Sequence, residues 1–204
     1  MKKFELTTEF ITNAFGKKLF RIKALVEFGD VKAGELGGYV EKEGNVSQAD
    51  NAWVYGNARV YGNARVYGNA RVSGDARVSG NAWVYGNARV YGDARVYGDA
   101  WVYGDAWVSG NAEVYGDARV CGNAWVYGDA DYALVQGFGT EFRCTTFYRG
   151  KNKKIMVNCG CFHGDLEGFR KQVKETRNGK IAKEYLMIAD LMEYHFTSED
   201  SSDE

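Results

Sequence analysis

Reactive side chains are scarce in this sequence, and they lie outside its regular part. Two histidines, His163 and His195, are the only side chains that titrate near neutrality without a large shift. A general base for acyl or proton transfer needs such a group, and no position between Trp53 and Ala130 supplies one. Four cysteines, Cys121, Cys144, Cys159 and Cys161, are the remaining soft ligands. Cys159, Cys161 and His163 alternate, so they share one side if the segment is a single strand, with Cys144 opposite in a hairpin. Four nitrogen and sulfur ligands suit a structural zinc, but C-x-C-x-H is not the usual knuckle spacing. Cysteine also packs well as a small apolar residue. The expectation is no metal and no cofactor. The abundant chemistry is arginine: Arg59, Arg65, Arg71, Arg77, Arg89, Arg95 and Arg119 each precede a valine, among tyrosines and tryptophans. A guanidinium offers paired donors to phosphate or carboxylate and stacks on aromatic rings.

These arginines are positioned by a repeat of six residues: Ala, then Arg or Trp, Val, Tyr or Ser, Gly, and Asn or Asp. Valine recurs thirteen times, from Val54 to Val126, at an unbroken interval of six. A short fixed period decides the architecture before any single residue does. Ala52 and Val54 stand two apart and share one strand face, while Trp53 and Tyr55 point the other way. Gly-Asn and Gly-Asp then tolerate the left-handed backbone of a sharp corner. Short strands and corners in alternation wind the chain into coils, and the coils stack at about 4.8 Å like a parallel sheet.

Runs such as Val60-Tyr61-Gly62-Asn63-Ala64-Arg65 resemble the hexapeptide repeat of left-handed parallel β-helix proteins. The resemblance covers residues 36–130. It implies a mainly β fold, three hexads per triangular coil, and a homotrimer. The familiar enzymes of that family are acyltransferases, with a histidine base, and γ-class carbonic anhydrases, with three metal-binding histidines. The hexads here contain no histidine, so the helix is read as non-catalytic. The flanks, Phe4-Glu5-Leu6-Thr7 with Gly34-Glu35-Leu36-Gly37-Gly38 and the closing Cys159-Gly160-Cys161-Phe162, are similar to hexapeptide-repeat proteins of bacteriophages and prophages. That likeness implies a setting rather than a mechanism.

With three hexads per coil, residues eighteen apart stack. The position before valine then forms three columns: Trp53, Arg71, Arg89, Trp107, Trp125; Arg59, Arg77, Arg95, Glu113; and Arg65, Trp83, Trp101, Arg119. The position after valine gives Tyr55, Ser73, Tyr91, Ser109, Tyr127; Tyr61, Ser79, Tyr97, Tyr115; and Tyr67, Tyr85, Tyr103, Cys121. The third face carries a block of five aromatics, Tyr67, Trp83, Tyr85, Trp101 and Tyr103. It is read as an oligomer interface or the seat of the C-terminal unit, with ladder stabilisation as the alternative. Stacked Arg59, Arg77 and Arg95 repel; Tyr61 and Tyr97 offset part of this by cation–π contact, and a bound anion would offset more. Arg71 and Arg89 join them as candidate ligand-binding residues. Charge reverses along the axis, from five arginines against Asp75 in residues 53–92 to two arginines against five aspartates and Glu113 in 93–130.

The rest of the chain is read in four parts: N-terminal capping strands over 1–35, the β-helix over 36–136, a ββαα cap over 137–197, and a disordered acidic tail over 198–204. Asp165 caps a helix with the stripe Leu166, Phe169, Val173, and a second helix aligns Ile181, Tyr185, Ile188 and Met192. In the 204 residues the net charge is −1, which favours neither nucleic acid nor membrane. Met1-Lys2-Lys3-Phe4-Glu5 lacks the apolar core of an export signal, so the expected compartment is the cytoplasm, with reduced thiols. The expected function is non-enzymatic binding of a host protein or of an anionic, nucleotide-like small molecule, for example to inhibit host defence. A self-assembling scaffold and an acyltransferase relative are the alternatives; nucleic acid is not an expected partner.

Overall fold

The computed structural model describes residues 2–140, 143–151 and 153–197. The acidic tail read over 198–204, and the start of a strand read from Glu141, lie outside them. Each hexad valine closes a two-residue strand, and thirteen of these run from β4 (Trp53–Val54) to β16 (Trp125–Val126). They pair in parallel at a register of eighteen: Trp53 with Arg71, Arg71 with Arg89, Arg89 with Trp107, and Trp107 with Trp125. Two further ladders carry Arg59, Arg77, Arg95, Glu113 and Arg65, Trp83, Trp101, Arg119. The chain is mainly β, a stack of parallel coils with a small helical unit at its C-terminal end. Among the described residues no helix is long and apolar enough to cross a membrane.

The alanine and valine of every hexad from Ala52 to Val126 are buried. Each buried valine contributes about 1.5–3 kcal/mol, so this narrow interior is the main source of stability. At the corners, asparagine amides bridge successive coils: Asn51 donates to Asn69, Asn69 to Asn87, and Asn87 to Asp105, at 3.0, 3.0 and 2.9 Å. The parallel ladder runs Asn63 to Asn81 to Asp99. An amide both donates and accepts, whereas an ionised carboxylate only accepts. Asp99 and Asp105 therefore receive these ladders, which gives part of the axial charge reversal a structural cause.

The N-terminal end is sealed by an antiparallel hairpin of β1 (Phe4–Thr12) and β2 (Lys18–Ala24), continued by β3 (Leu36–Val40). β3 is antiparallel to β2 and parallel to the strand at Arg59–Val60, so it joins the hairpin to the exposed coil edge. Gly37 and Gly38 permit this approach, since a Cβ would lie 2.6 Å from the Val54 carbonyl oxygen at the first and 2.5 Å from that of Ala58 at the second. Tyr39 pairs with Arg59 and Val46 bridges to Val66, twenty residues apart, so the irregular first coil carries two extra residues. Trp53 stands in the outward column, in register with Arg71, yet it is 0% exposed, because Phe4 and Phe28 of the cap pack edge-on against it at 5.8 and 5.3 Å.

The C-terminal unit corrects the expected ββαα pattern. It is an antiparallel sheet of four strands, β17 (Tyr132–Phe138), β18 (Arg143–Arg149), β19 (Ile155–Cys159) and β20 (Phe162–Asp165), in that order. Tyr132, which replaces the next expected valine, starts β17 and is buried at 7% exposure. Short segments without strong alternation, such as Phe162–Asp165, become strands here because a preformed neighbour accepts their hydrogen bonds. Asp165 caps α1 (Leu166–Thr176) by accepting from the Gly168 N–H at 2.9 Å, and α2 (Gly179–Thr197) packs against it. Leu166, Phe169, Val173, Tyr185, Ile188 and Met192 are buried as the spacing predicts.

Candidate functional site

Hydrogen-bond registry fixes which outward side chains become neighbours, and the three faces differ. On the third face the rings satisfy one another. Tyr67, Tyr85 and Tyr103 stack at 4.8 and 5.0 Å with planes within 3°, and Trp83 stacks on Trp101 at 5.2 Å. Arg65 lies over Trp83 at one end and Arg119 over Trp101 at the other, 5.9 and 4.9 Å from the ring centres. All five aromatics are half-buried in the chain itself. At its C-terminal end the stack meets the helical unit, where Asn158 Nδ2 donates to the Tyr103 hydroxyl at 3.2 Å. Burial, then the neighbouring Tyr85, raises the pKa of Tyr67.

On the second face, Arg59, Arg77 and Arg95 are stacked as the spacing predicts, but Arg95 is neutralised by Glu113 at 2.7 Å. The Tyr97 hydroxyl also donates to Glu113, at 3.1 Å, and its ring stacks on Tyr115 at 5.4 Å. Tyr97 therefore supports the carboxylate that answers Arg95. Among the described residues Arg59, Arg77 and Tyr61 have no charged, hydrogen-bonded or ring partner recorded for their side chains.

The first face holds a groove of 440 Å³ lined by Tyr55, Arg71, Ser73, Arg89, Tyr91 and Trp107. Small-molecule sites typically span roughly 300–1,000 Å³. Arg71 reaches toward the N-terminal cap, where Asp30 accepts from it at 2.6 Å and the Tyr55 hydroxyl donates to the same carboxylate at 3.1 Å. Burial alone would raise the Asp30 carboxyl; the bonds from Arg71 and Tyr55 outweigh it and hold it below its ordinary range. Burial, with Asp30 as hydrogen-bond acceptor, pushes the Tyr55 hydroxyl up to about 12. Arg89 leans the other way, 5.1 Å over the Trp107 ring, and has no carboxylate partner among the described residues. Like charges one coil apart thus diverge and leave space between them.

The cysteine and histidine group is not brought together. A tight turn at Gly160 (φ +60°) separates Cys159 from Cys161, and β19 pairs with β20 so that Asn158 stands opposite His163. Cys159 lies opposite Thr145, whose hydroxyl donates to its sulfur at 3.1 Å, while Cys144 falls on the other side of β18. The assumption of one continuous strand through Cys159, Cys161 and His163 fails because the hairpin intervenes. What forms instead is an anchor for the cap: the buried Tyr148 hydroxyl lies 3.3 Å from Cys121 Sγ and 3.0 Å from His163 Nε2. Asn158 also donates to that sulfur. Burial pushes Cys144 up to about 11.

The YdcK Beta solenoid repeat family model matches residues 52–68, 58–74, 64–80, 70–86, 83–98, 88–104, 94–110 and 112–128. The coil is a β-solenoid. Its matched segments begin after the N-terminal cap and end at residue 128, before the first strand of the C-terminal unit. No curated protein matches the chain. One contributor to the solenoid's grooved face escapes the column reading, and so does the meaning of another. Asp30 lies 41 residues from Arg71 in an irregular loop, and nothing in the repeat signals it. Ser73 was legible as the break in a tyrosine column, but its meaning depends on where the adjacent rings point.

Proposed function

We propose that the protein is a non-enzymatic binding protein that receives an anionic small molecule, or an acidic surface of a host protein, on its solenoid exterior. One observation carries this reading: Arg59, Arg77 and Arg89 have no carboxylate partner among the described residues, whereas Arg71 and Arg95 are neutralised within the chain. These guanidiniums beside tyrosine columns, with Arg65 and Arg119 over tryptophans on the third face equally without a carboxylate among the described residues, suit a ligand that brings its own negative charge. The absence of histidine from the hexads supports a role without acid–base catalysis on the solenoid. The eighteen-residue register supports three hexads per coil and, with the hexad pattern, a left-handed winding. The flanking motifs support a phage or prophage setting, and the compartment we favour is the cytoplasm. A homotrimer formed through Tyr67, Trp83, Tyr85, Trp101 and Tyr103 completes the proposal.

The test is to replace Arg59, Arg77 and Arg89 with glutamine, singly and together, and to measure retention of anionic ligands and host proteins by native mass spectrometry and pull-down. The triple variant should lose the bound species while keeping its circular dichroism spectrum. Undiminished binding by a folded triple variant refutes the proposal. The charge reversal along the axis favours a second reading, end-to-end assembly of particles. Sedimentation across salt concentrations separates the two, since a single small species at every ionic strength argues against assembly.

A further inference from the structure

We infer that the Ser73 position is a slot for a planar aromatic ring, and that the ligand is an aromatic anion whose charged group meets Arg89. This rests on the anion-binding reading above and specifies its ligand class. The third face shows what the ladder does when no ring is missing: Tyr85 sits between Tyr67 and Tyr103 at 4.8 and 5.0 Å, planes parallel within 3°. On the first face the same column reads Tyr55, Ser73, Tyr91. Tyr55 and Tyr91 are two coils apart, about 9.6 Å at the usual strand spacing of about 4.8 Å. A flat ring placed over Ser73 would stand about 4.8 Å from each, the separation that Tyr85 adopts from its own neighbours. The groove is where a rung of the aromatic ladder has been left out.

Both walls are held away from the vacancy. The Tyr55 hydroxyl is tied to Asp30 of the N-terminal cap at 3.1 Å. The Tyr91 ring packs edge-on against Trp107 one coil further on, at 6.2 Å, and its hydroxyl neighbours that of Tyr127. These contacts hold the two rings in place from outside the gap, so the slot is preformed and stacking does not have to order it. Ser109, the next gap in the column, is closed instead: it is 2% exposed. Ser79 on the second face interrupts Tyr61 and Tyr97, but Tyr61 has no comparable tether among the described residues. At the slot the Arg89 guanidinium is free of carboxylates among the described residues, while Arg71, its charge already answered by Asp30, lies 5.9 Å from the centre of the Tyr55 ring. Aromatic stacking between two tyrosines with one arginine at the edge fits a mononucleotide, by the stacking and cation contacts that hold single bases on proteins.

Isothermal titration of the full chain with adenosine 5′-monophosphate, ribose 5-phosphate and adenosine tests this. The nucleotide should bind at least tenfold tighter than either part alone and quench tryptophan fluorescence through Trp107. Ser73→Tyr fills the gap with the ladder's own residue. It should preserve the spectrum and melting temperature and weaken nucleotide binding at least tenfold, while ribose 5-phosphate binding stays within twofold. Ser79→Tyr, on the other face, should change neither. Arg89→Gln should weaken both phosphates alike. A folded Ser73→Tyr variant that binds the nucleotide like the parent overturns the slot, as does equal affinity for nucleotide and ribose 5-phosphate; anion binding would then stand without it. Equal affinity for adenosine and nucleotide overturns the assignment of Arg89. Failure of all three probes to bind overturns the slot, and the proposed function is then judged by its own arginine variants.

Discussion

Replacing Gly80 with alanine should damage the solenoid more than the same change at Gly56, although both glycines occupy the same place in their hexads. Both have left-handed backbones, with φ of +67° and +59°. That conformation costs a non-glycine residue about 1–2 kcal/mol, and the reduced freedom of the unfolded chain returns about 0.4–1 kcal/mol. These contributions are common to both variants. The neighbours differ. A Cβ at Gly80 would meet the Gly98 nitrogen at 2.9 Å and its carbonyl oxygen at 3.0 Å, whereas at Gly56 the nearest atom, the Gly74 oxygen, is 3.7 Å away. The Gly98 oxygen also accepts the Asn81 N–H at 2.8 Å, so relieving the clash disturbs that bond. A backbone hydrogen bond is worth about 1 kcal/mol net. Gly80→Ala should therefore be about 1 kcal/mol or more worse than Gly56→Ala, measured as the difference in urea unfolding free energy between the two variants. Equal destabilisation would refute the claim that coil stacking, beyond the sign of φ, selects glycine at this corner.

Trp53→Ala should cost about 3–5 kcal/mol, the usual range for emptying a buried aromatic site, and should expose residues 1–35 to protease; a cost under about 1 kcal/mol would contradict the sealed position against Phe4 and Phe28. Tyr148→Phe should lose about 1 kcal/mol, because the hydroxyl that meets Cys121 and His163 is removed; heat denaturation of the variant measures it. Stability should also rise with pH above 8. Lys3 is 4% exposed, and burial lowers its ammonium from 10.5 to about 8 against the opposing pull of Asp50. Between those values the unfolded chain binds more protons than the native one, so stability climbs by at most about 1.4 kcal/mol per pH unit. Above pH 10 the raised Tyr55 acts in the opposite sense, since its neutral form is native-preferred up to about 12. Denaturation midpoints from pH 7 to 9.5 should lose this slope in Lys3→Met.

The reach of the sequence was uneven, and particular residues show why. The thirteen valines and their alanines specified strands, corners and interior, because a period of six leaves only one side of each strand apolar. The columns followed once the coil length was supplied by resemblance, and the eighteen-residue pairings agree with them. The burial of Trp53 was not legible because its hexad is identical in kind to the others; only the cap folded over it removes it from water. The extra strands around Tyr132 and Phe162 escaped because short edge segments take their conformation from a partner more than from their own pattern. The cysteine and histidine spacing misled for a related reason: a turn at Gly160 divides what looked like one strand.

By itself, then, the sequence determined a parallel β coil with an Ala–Val interior, an arginine- and tyrosine-bearing exterior, and no histidine along its length. Those properties are local and periodic, and the chain repeats them too often for context to override. The tertiary structure alone decided which arginines remain unanswered. Asp30 neutralises Arg71 across 41 residues and Glu113 neutralises Arg95 across one coil, while Arg89 is left to a tryptophan face. It also decided that the gap at Ser73 stays open while that at Ser109 is buried, since the tethers on Tyr55 and Tyr91 come from outside their own hexads. Charge pairing and ring orientation depend on distances between coils and caps, and no six-residue pattern encodes them.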